Sequence, residues 1–294
     1  MFWILLTWWI VLKDHQANAL FLEPNCGFMS QEALQNEGHF AHISESPWMA
    51  YLHDSGRFLC GGTLINHRFI LTAAHCISNN DSLTVRLGEF DSHSAQDCIG
   101  SDCIPPSEEF QIDLAFRHRD YSRSDHYHDI GLLRLARSVE YKAHIRPICL
   151  ITNTALHPRI EQLQRLVATG WGSGSIGSPN RKLKSIRVTR INRRECQVRY
   201  LVECRRDQIC VGHESGKTCS GDSGGPMGHA LRFQGRVFFV QVGIVSYGNP
   251  ECRSPSVFTD VMGHMDWIKR RSHLILILSP AAKIYINIIL YTNI

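Results

Sequence analysis

His75 stands in "LTAAHC", Asp129 opens "DIGLLRL" and Ser223 lies in "GDSGGP". A serine, a histidine and an aspartate are the side chains that acyl transfer through a hydroxyl requires: a nucleophile, a base to take its proton and a carboxylate to orient that base. The glycines beside Ser223 let the chain turn tightly and let a substrate carbonyl approach the amides of Gly221 and Ser223, where an oxyanion would be held. Taken singly, each residue has an ordinary structural reading, the histidine beside a cysteine and the aspartate as a cap before a strand. Their conjunction points to chemistry.

Elements that could hold such groups are legible along the chain. Short apolar or alternating runs recur between Gly, Pro, Asn and Ser: "FLCGGTLI", "RFILTAAHC", "LTVRLGEF", "DIGLLRLA", "LQRLVATGWG", "KSIRVTRI" and "VFFVQVGIVSYG". They predict an all-β protein whose strands form two barrels or sandwiches, over about 48–140 and about 160–262. "MGHMDWIKRR", Met262 to Arg271, is the one convincing short amphipathic helix, with Met262, Met265 and Ile268 on one face.

The chain has 294 residues, 44% hydrophobic and 20% charged, enough for one large or two small cores. Its formal charge of +4 is spread along the sequence, with no basic block interleaved with aromatics, so a nucleic-acid partner is not expected. Residues 1–19 read as a signal peptide, with an apolar run from Phe2 to Leu12 followed by Ala17-Asn18-Ala19. With 11 cysteines after such a segment, the expected compartment is oxidising and extracellular, and the odd count leaves one cysteine over. Asn80-Asp81-Ser82 is a glycosylation sequon. The tail 273–294 is apolar but broken by Ser279-Pro280 and Lys283, so it is a poor membrane span.

The ordered set "CGGTLI", "TAAHC", "GWG", "GDSGGP" and "GIVSYG", with His, Asp and Ser in that order, resembles the chymotrypsin-like serine proteases of the trypsin family, and most closely the insect extracellular ones. The resemblance covers about residues 46–271. It implies two six-stranded antiparallel β-barrels with a C-terminal helix and a protease domain over 39–272, preceded by a short activation segment over 20–38. It implies His75 as general base, Asp129 as its orienting group and Ser223 as nucleophile, with Gly221 and Ser223 as the oxyanion hole. Disulfides Cys26–Cys149, Cys60–Cys76, Cys98–Cys103, Cys196–Cys210 and Cys219–Cys252 are implied too. Cys204 is then left over, to stay free, pair between chains or compete for Cys210. No cofactor is implied.

Two departures stand out. In the resembled family the residue six before the nucleophile forms the floor of the specificity pocket, where an aspartate selects Arg or Lys. Here it is Lys217, which would repel a basic substrate side chain. The pocket would also include Ser246, Gly248 and Ser256, with Ser256 narrowing a wall where the family commonly has glycine. Lys217 then either receives an acidic side chain, folds outward with its stem filling the pocket, or marks a pocket without catalytic constraint. The second departure is activation. A new amino terminus should pair with Asp222, yet no Lys or Arg lies between Cys26 and His39, and the corresponding junction would expose Gln35. Conventional activation is expected to be lost or impaired.

The stretch from Glu89 to Glu109 reads as a solvated acidic loop, in a region where family members sometimes bind Ca²⁺. His126 and His128, in "RSDHYHD", read as exposed surface residues and not as metal ligands. The expected function is a secreted serine endopeptidase acting on a protein or peptide substrate, with a cascade partner or inhibitor. The alternative is a protease-like protein that binds or regulates without cutting.

Overall fold

The computed structural model describes residues 20–29, 43, 45–77, 82–172, 180–213, 222–249 and 255–273. Strands β1 (Met49–Asp54), β2 (Arg57–Asn66), β3 (Phe69–Thr72) and β4 (Leu83–Leu87) are followed by a two-residue ribbon, β5 (Cys98–Ile99) and β6 (Asp102–Cys103). Strands β7 (Glu108–Arg117) and β8 (Gly131–Leu135) then close an antiparallel barrel in the order β1-β2-β3-β8-β7-β4.

A second barrel is formed by β9 (Arg165–Gly170), β10 (Lys184–Arg190), β11 (Gln208–His213), β12 (Pro226–Phe233), β13 (Arg236–Gly248) and β14 (Ser256–Asp260), in the order β10-β11-β14-β13-β12-β9. Three helices complete the described fold: α1 (His157–Ile160), α2 (Arg193–Tyr200) and the C-terminal α3 (Met265–His273). The two expected barrels and the terminal helix are present. Residues Met262–His264, expected to begin the helix, form a separate 3₁₀ turn in front of it.

Closure is why the strands read as they do. A closed barrel has no free edge, and inward residues must fill it, so β8 is buried along its whole length. Its one charge, Arg134, is accommodated by a two-pronged pair with the Asp113 carboxylate at 2.6 and 2.8 Å. Leu52, Leu64, Ile70, Leu87 and Leu132 are sealed in the first core, each worth about 1.5–3 kcal/mol of burial.

Two of the contacts that dock the barrels together fall on β13. Trp48 stacks on Phe239 of β13 with ring centroids 5.0 Å apart, and the buried Thr63 hydroxyl donates to the Gln241 side chain at 2.8 Å. Shared burial of large aromatic surface with a satisfied polar pair fixes one relative placement of the halves.

Four disulfides are formed, Cys26–Cys149, Cys60–Cys76, Cys98–Cys103 and Cys196–Cys210. Cys219 and Cys252 lie outside the described residues, as do Asn80, the expected signal peptide over 1–19 and the tail after His273. Cys204 is free and buried, and burial pushes its thiol up to about 11, so it is held in the unreactive neutral form.

Candidate active site

Asp129 is fully buried, and the chain around it is bent to put it there. His126 and His128 both adopt left-handed backbone angles, φ 53° and 52°, uncommon for residues with a Cβ. The Ile130 amide donates to the His128 carbonyl at 2.8 Å across Asp129, a tight three-residue turn. Two side chains of other elements hold that turn from outside: Asp207 accepts the His128 amide at 3.2 Å, and Gln208 donates to the His126 carbonyl at 3.3 Å.

Inside, the Asp129 carboxylate is saturated. Its Oδ1 accepts the His75 backbone amide at 3.0 Å, and its Oδ2 lies 2.7 Å from His75 Nδ1 and accepts the Ser246 hydroxyl at 2.6 Å. Thr259 anchors the Asp129 backbone carbonyl at 2.9 Å. Burial would raise the carboxyl pKa, but the His75 ring, the Ser246 hydroxyl and the His75 amide outweigh it and hold the group below the ordinary aspartate value of 3.8. An ionised carboxylate can only accept, so His75 Nδ1 is the donor, the tautomer that in a neutral imidazole puts the lone pair on Nε2.

Ser246 reaches Asp129 because β13 bulges there. Val245 pairs with Phe258 and Tyr247 with Val257, leaving Ser246 between them without a partner across the ladder. A bulge re-aims one side chain, and here it turns a hydroxyl out of the strand pattern toward the carboxylate. Sequence reasoning assigned Ser246 to the specificity pocket only, and its position on Asp129 carries no sequence signal short of the bulge itself.

Ser223 sits in a turn closed by the Gly225 amide donating to the Asp222 carbonyl at 2.9 Å, with Gly224 at φ 79° in third position. The Ser223 carbonyl accepts the Gly61 amide of β2 at 2.8 Å, tying the turn to the first barrel. A Cβ on Gly224 would overlap Thr72 Oγ1 and the Gly61 carbonyl and would lie 3.2 Å from Cys76 Sγ. The glycine after the serine is therefore required by both angle and space, and it brings Ser223 against the loop that carries His75.

The "GWG" motif has a similar origin. Asp222 is buried, its Oδ1 accepts the Gly172 amide at 2.9 Å, and a Cβ on Gly172 would collide with that carboxylate. Trp171, wholly buried between the two glycines, donates its indole N–H to the Phe90 carbonyl at 3.2 Å. Gln35 and Gly221 lie outside the described residues.

Gly248 and Ser256, expected to wall the specificity pocket, pair across β13 and β14. Ser256 is buried, and its hydroxyl lies 2.9 Å from the point a Cβ on Gly248 would occupy. The side chain thus fills the space that glycine leaves on the facing strand. Lys217 lies outside the described residues.

Two expectations are corrected. His126 and His128 are half-buried, not exposed. The His126 ring meets His75 edge-on at 6.1 Å and lies 4.9 Å from Tyr247, and burial lowers its pKa. His128 Nδ1 lies 3.0 Å from His264 Nε2. The acidic loop is not solvated at its base either. Glu89 and Asp97 are 5% and 6% exposed, and Glu89 Oε1 and Asp97 Oδ1 have no hydrogen-bond partner among the described residues. Burial, with Asp97 adding to it, raises the Glu89 pKa, while Arg86 bonds its other oxygen at 3.1 Å.

A family model described as Trypsin matches residues 35–268. The chain belongs to the trypsin family of serine proteases. It is 36% identical over 277 residues to "Serine protease grass" of Drosophila melanogaster, covering 88% of this chain and 73% of that protein. It is 38% identical over 253 residues to "Phenoloxidase-activating factor 3" of Holotrichia diomphalia, covering 79% and 71%. The crystal structure of the Drosophila Grass clip serine protease of the Toll pathway superposes with a TM-score of 0.74 at 37% identity, over 83% of this chain and 73% of that one. The trypsin-family fold thus accounts for both barrels and for the motifs that link them.

Proposed function

We propose that the protein is a secreted serine endopeptidase of the trypsin family, hydrolysing peptide bonds through an acyl-enzyme on Ser223. The observation that carries this reading is the saturated Asp129 carboxylate, which leaves His75 with a lone pair on Nε2. His75 takes the Ser223 hydroxyl proton as the oxygen attacks the scissile carbonyl, then returns it to the leaving amine. Asp129 stabilises the imidazolium formed in between, and the amides of Gly221 and Ser223 receive the oxyanion. Water then attacks the ester carbonyl, again with His75 as base, and frees Ser223.

A protein substrate in a protease cascade fits this reading, since similar proteins carry the names "Phenoloxidase-activating factor 3" and "Spaetzle-processing enzyme". Were Lys217 to form the pocket floor, as the resemblance implies, it would repel a basic side chain before the cut bond and favour an acidic one. Cleavage of a peptide library by secreted chain whose amino terminus has been sequenced, beside Ser223→Ala, tests the function. Cleavage by the wild type and none by the variant is expected. Folded, processed protein that cuts no peptide would contradict it.

Ser256 favours a second reading, a binding or regulatory protein without peptidase activity, because its buried hydroxyl narrows the pocket wall opposite Gly248. The junction without Lys or Arg before His39 points the same way. On this reading Ser223→Ala leaves the protein's effect on a partner cascade unchanged.

A further inference from the structure

The formal charge is not evenly spread. Residues 157–206 hold 12 lysines and arginines against 3 aspartates and glutamates, a formal +9 within a chain of +4. The fold gathers much of this on one face of the second barrel. Arg165 of β9 pairs in register with Thr189 of β10, and Arg190 at the end of β10 donates from Nε to the Leu163 carbonyl at 3.2 Å. Arg193, at the start of α2, reaches the Gln208 carbonyl at 2.9 Å, Glu161 at 3.2 Å and the Arg206 carbonyl at 3.3 Å. Arg159, Arg165, Arg194 and Arg206 are exposed, and none of them pairs with a carboxylate among the described residues.

A cleft of about 340 Å³ opens in this face, lined by Glu161, Arg190, Asn192 and Arg193 among others. A second of about 530 Å³ adjoins it across Asn192 and is lined by Arg194. Arg190 Nη2 is buried with no hydrogen-bond partner among the described residues. Burial lowers the Arg190 pKa; Asp260 opposes that, and the neighbouring Arg193 charge adds to it. Glu161 also faces the cleft but is engaged by Arg193. A buried guanidinium nitrogen with no acceptor costs free energy until an oxygen reaches it, and an oxyanion supplies both the acceptor and the charge.

We propose that this face binds a sulfated polysaccharide chain, with one of its sulfates seated against Arg190 in the cleft. Arg165 and Arg190, at the paired ends of β9 and β10, lie with Arg193 and Arg194 at the start of α2, a helix about 12 Å long, a cluster that suits a chain with regularly spaced permanent charges. A flat bilayer surface cannot place a headgroup on a nitrogen recessed between β10 and α2, whereas a pendant sulfate on a flexible chain can. The face adjoins the loop that carries Asp129: the Tyr127 hydroxyl donates to the Glu203 carbonyl at 2.9 Å. A bound chain would therefore hold the protein at a glycan surface beside its active site. The proposal does not depend on peptidase activity.

Heparin binding by the intact secreted chain, measured by calorimetry at about 0.15 M salt, is the test. Arg165→Ser/Arg194→Ser/Arg206→Ser should weaken it at least about tenfold, with a shallower dependence on salt. Arg57→Ser/Arg119→Ser/Arg123→Ser removes the same charge from exposed sites on the first barrel and should change affinity less than about twofold. Arg190→Met alone should cost severalfold. Thermal unfolding of each variant separates loss of fold from loss of binding. Absence of wild-type binding, equal losses in the two triple variants, or an unaffected Arg190→Met would overturn the proposal. So would tighter binding to phosphatidylserine vesicles or polyglutamate than to heparin.

Discussion

Ser246 and Thr259, which hold Asp129, lie on the same bulged strand pair as Ser256, yet the two regions differ in kind. Around Asp129 every oxygen has a donor, from His75, Ser246 and Thr259, and the carboxylate is held ionised. Across β13 and β14 at Gly248, a buried serine fills the space its partner leaves. The first region is a buried carboxylate on an imidazole with its outer donors in place. The second is a tight steric contact between facing strands, at the position where the family resemblance leads one to expect a substrate pocket. Proton-transfer geometry and substrate choice are thus separable, because they rest on different residues of one scaffold.

The comparison can be broken most sharply at Asp129. Asp129→Asn removes the acceptor for His75 Nδ1–H and favours the wrong tautomer, and should lower peptidase turnover by about 10⁴, the loss characteristic of this family, with the fold retained by circular dichroism. Gly224→Ala comes next. The left-handed angle and the overlap with Thr72 and Gly61 should together cost about 2–5 kcal/mol in denaturant unfolding and abolish reaction at Ser223. Ser246→Ala strips one donor from a buried carboxylate, worth about 1–3 kcal/mol, and should slow turnover by about 5–150-fold without changing which peptides are cut. On the other side, Ser256→Gly should leave reaction with a small acylating probe unchanged and should lower KM severalfold for peptides with larger side chains before the cut.

The smallest effect lies outside both regions. His157 Nε2 bonds Asp260 Oδ2 at 2.8 Å, and that bond raises the histidine pKa above its ordinary 6.5. A raised folded pKa stabilises fully below the unfolded value and is lost as pH rises through the folded one. His157→Gln should therefore be more destabilising near about pH 5.5 than near about pH 8.5, read from paired denaturant curves.

Much of this was legible in the sequence. The seven quoted apolar runs all contain strands, and the ordered motifs point to the family, since barrels closed by alternating strands leave a strong pattern. Two of the elements not singled out had weak patterning for a physical reason. β7, "EEFQIDLAFR", buries only Phe110 fully, so its periodicity is faint. Helix α2, "RRECQVRY", buries only Cys196 and shows no apolar stripe. The role of Ser246 depends on a bulge, and the half-burial of His126 and His128 depends on a strained turn, neither of which spacing reveals. The basic face escaped notice because a whole-chain charge averages it against the acidic loop of the first barrel.

The central claim is that His75, Asp129 and Ser223 act as one unit. Intact-mass analysis after fluorophosphonate treatment of the secreted, amino-terminally sequenced chain tests it most directly. One adduct per chain, mapped to Ser223 and lost in both Ser223→Ala and His75→Ala, is the predicted result. A folded, processed chain that takes no label, or takes it equally in His75→Ala, would contradict the account.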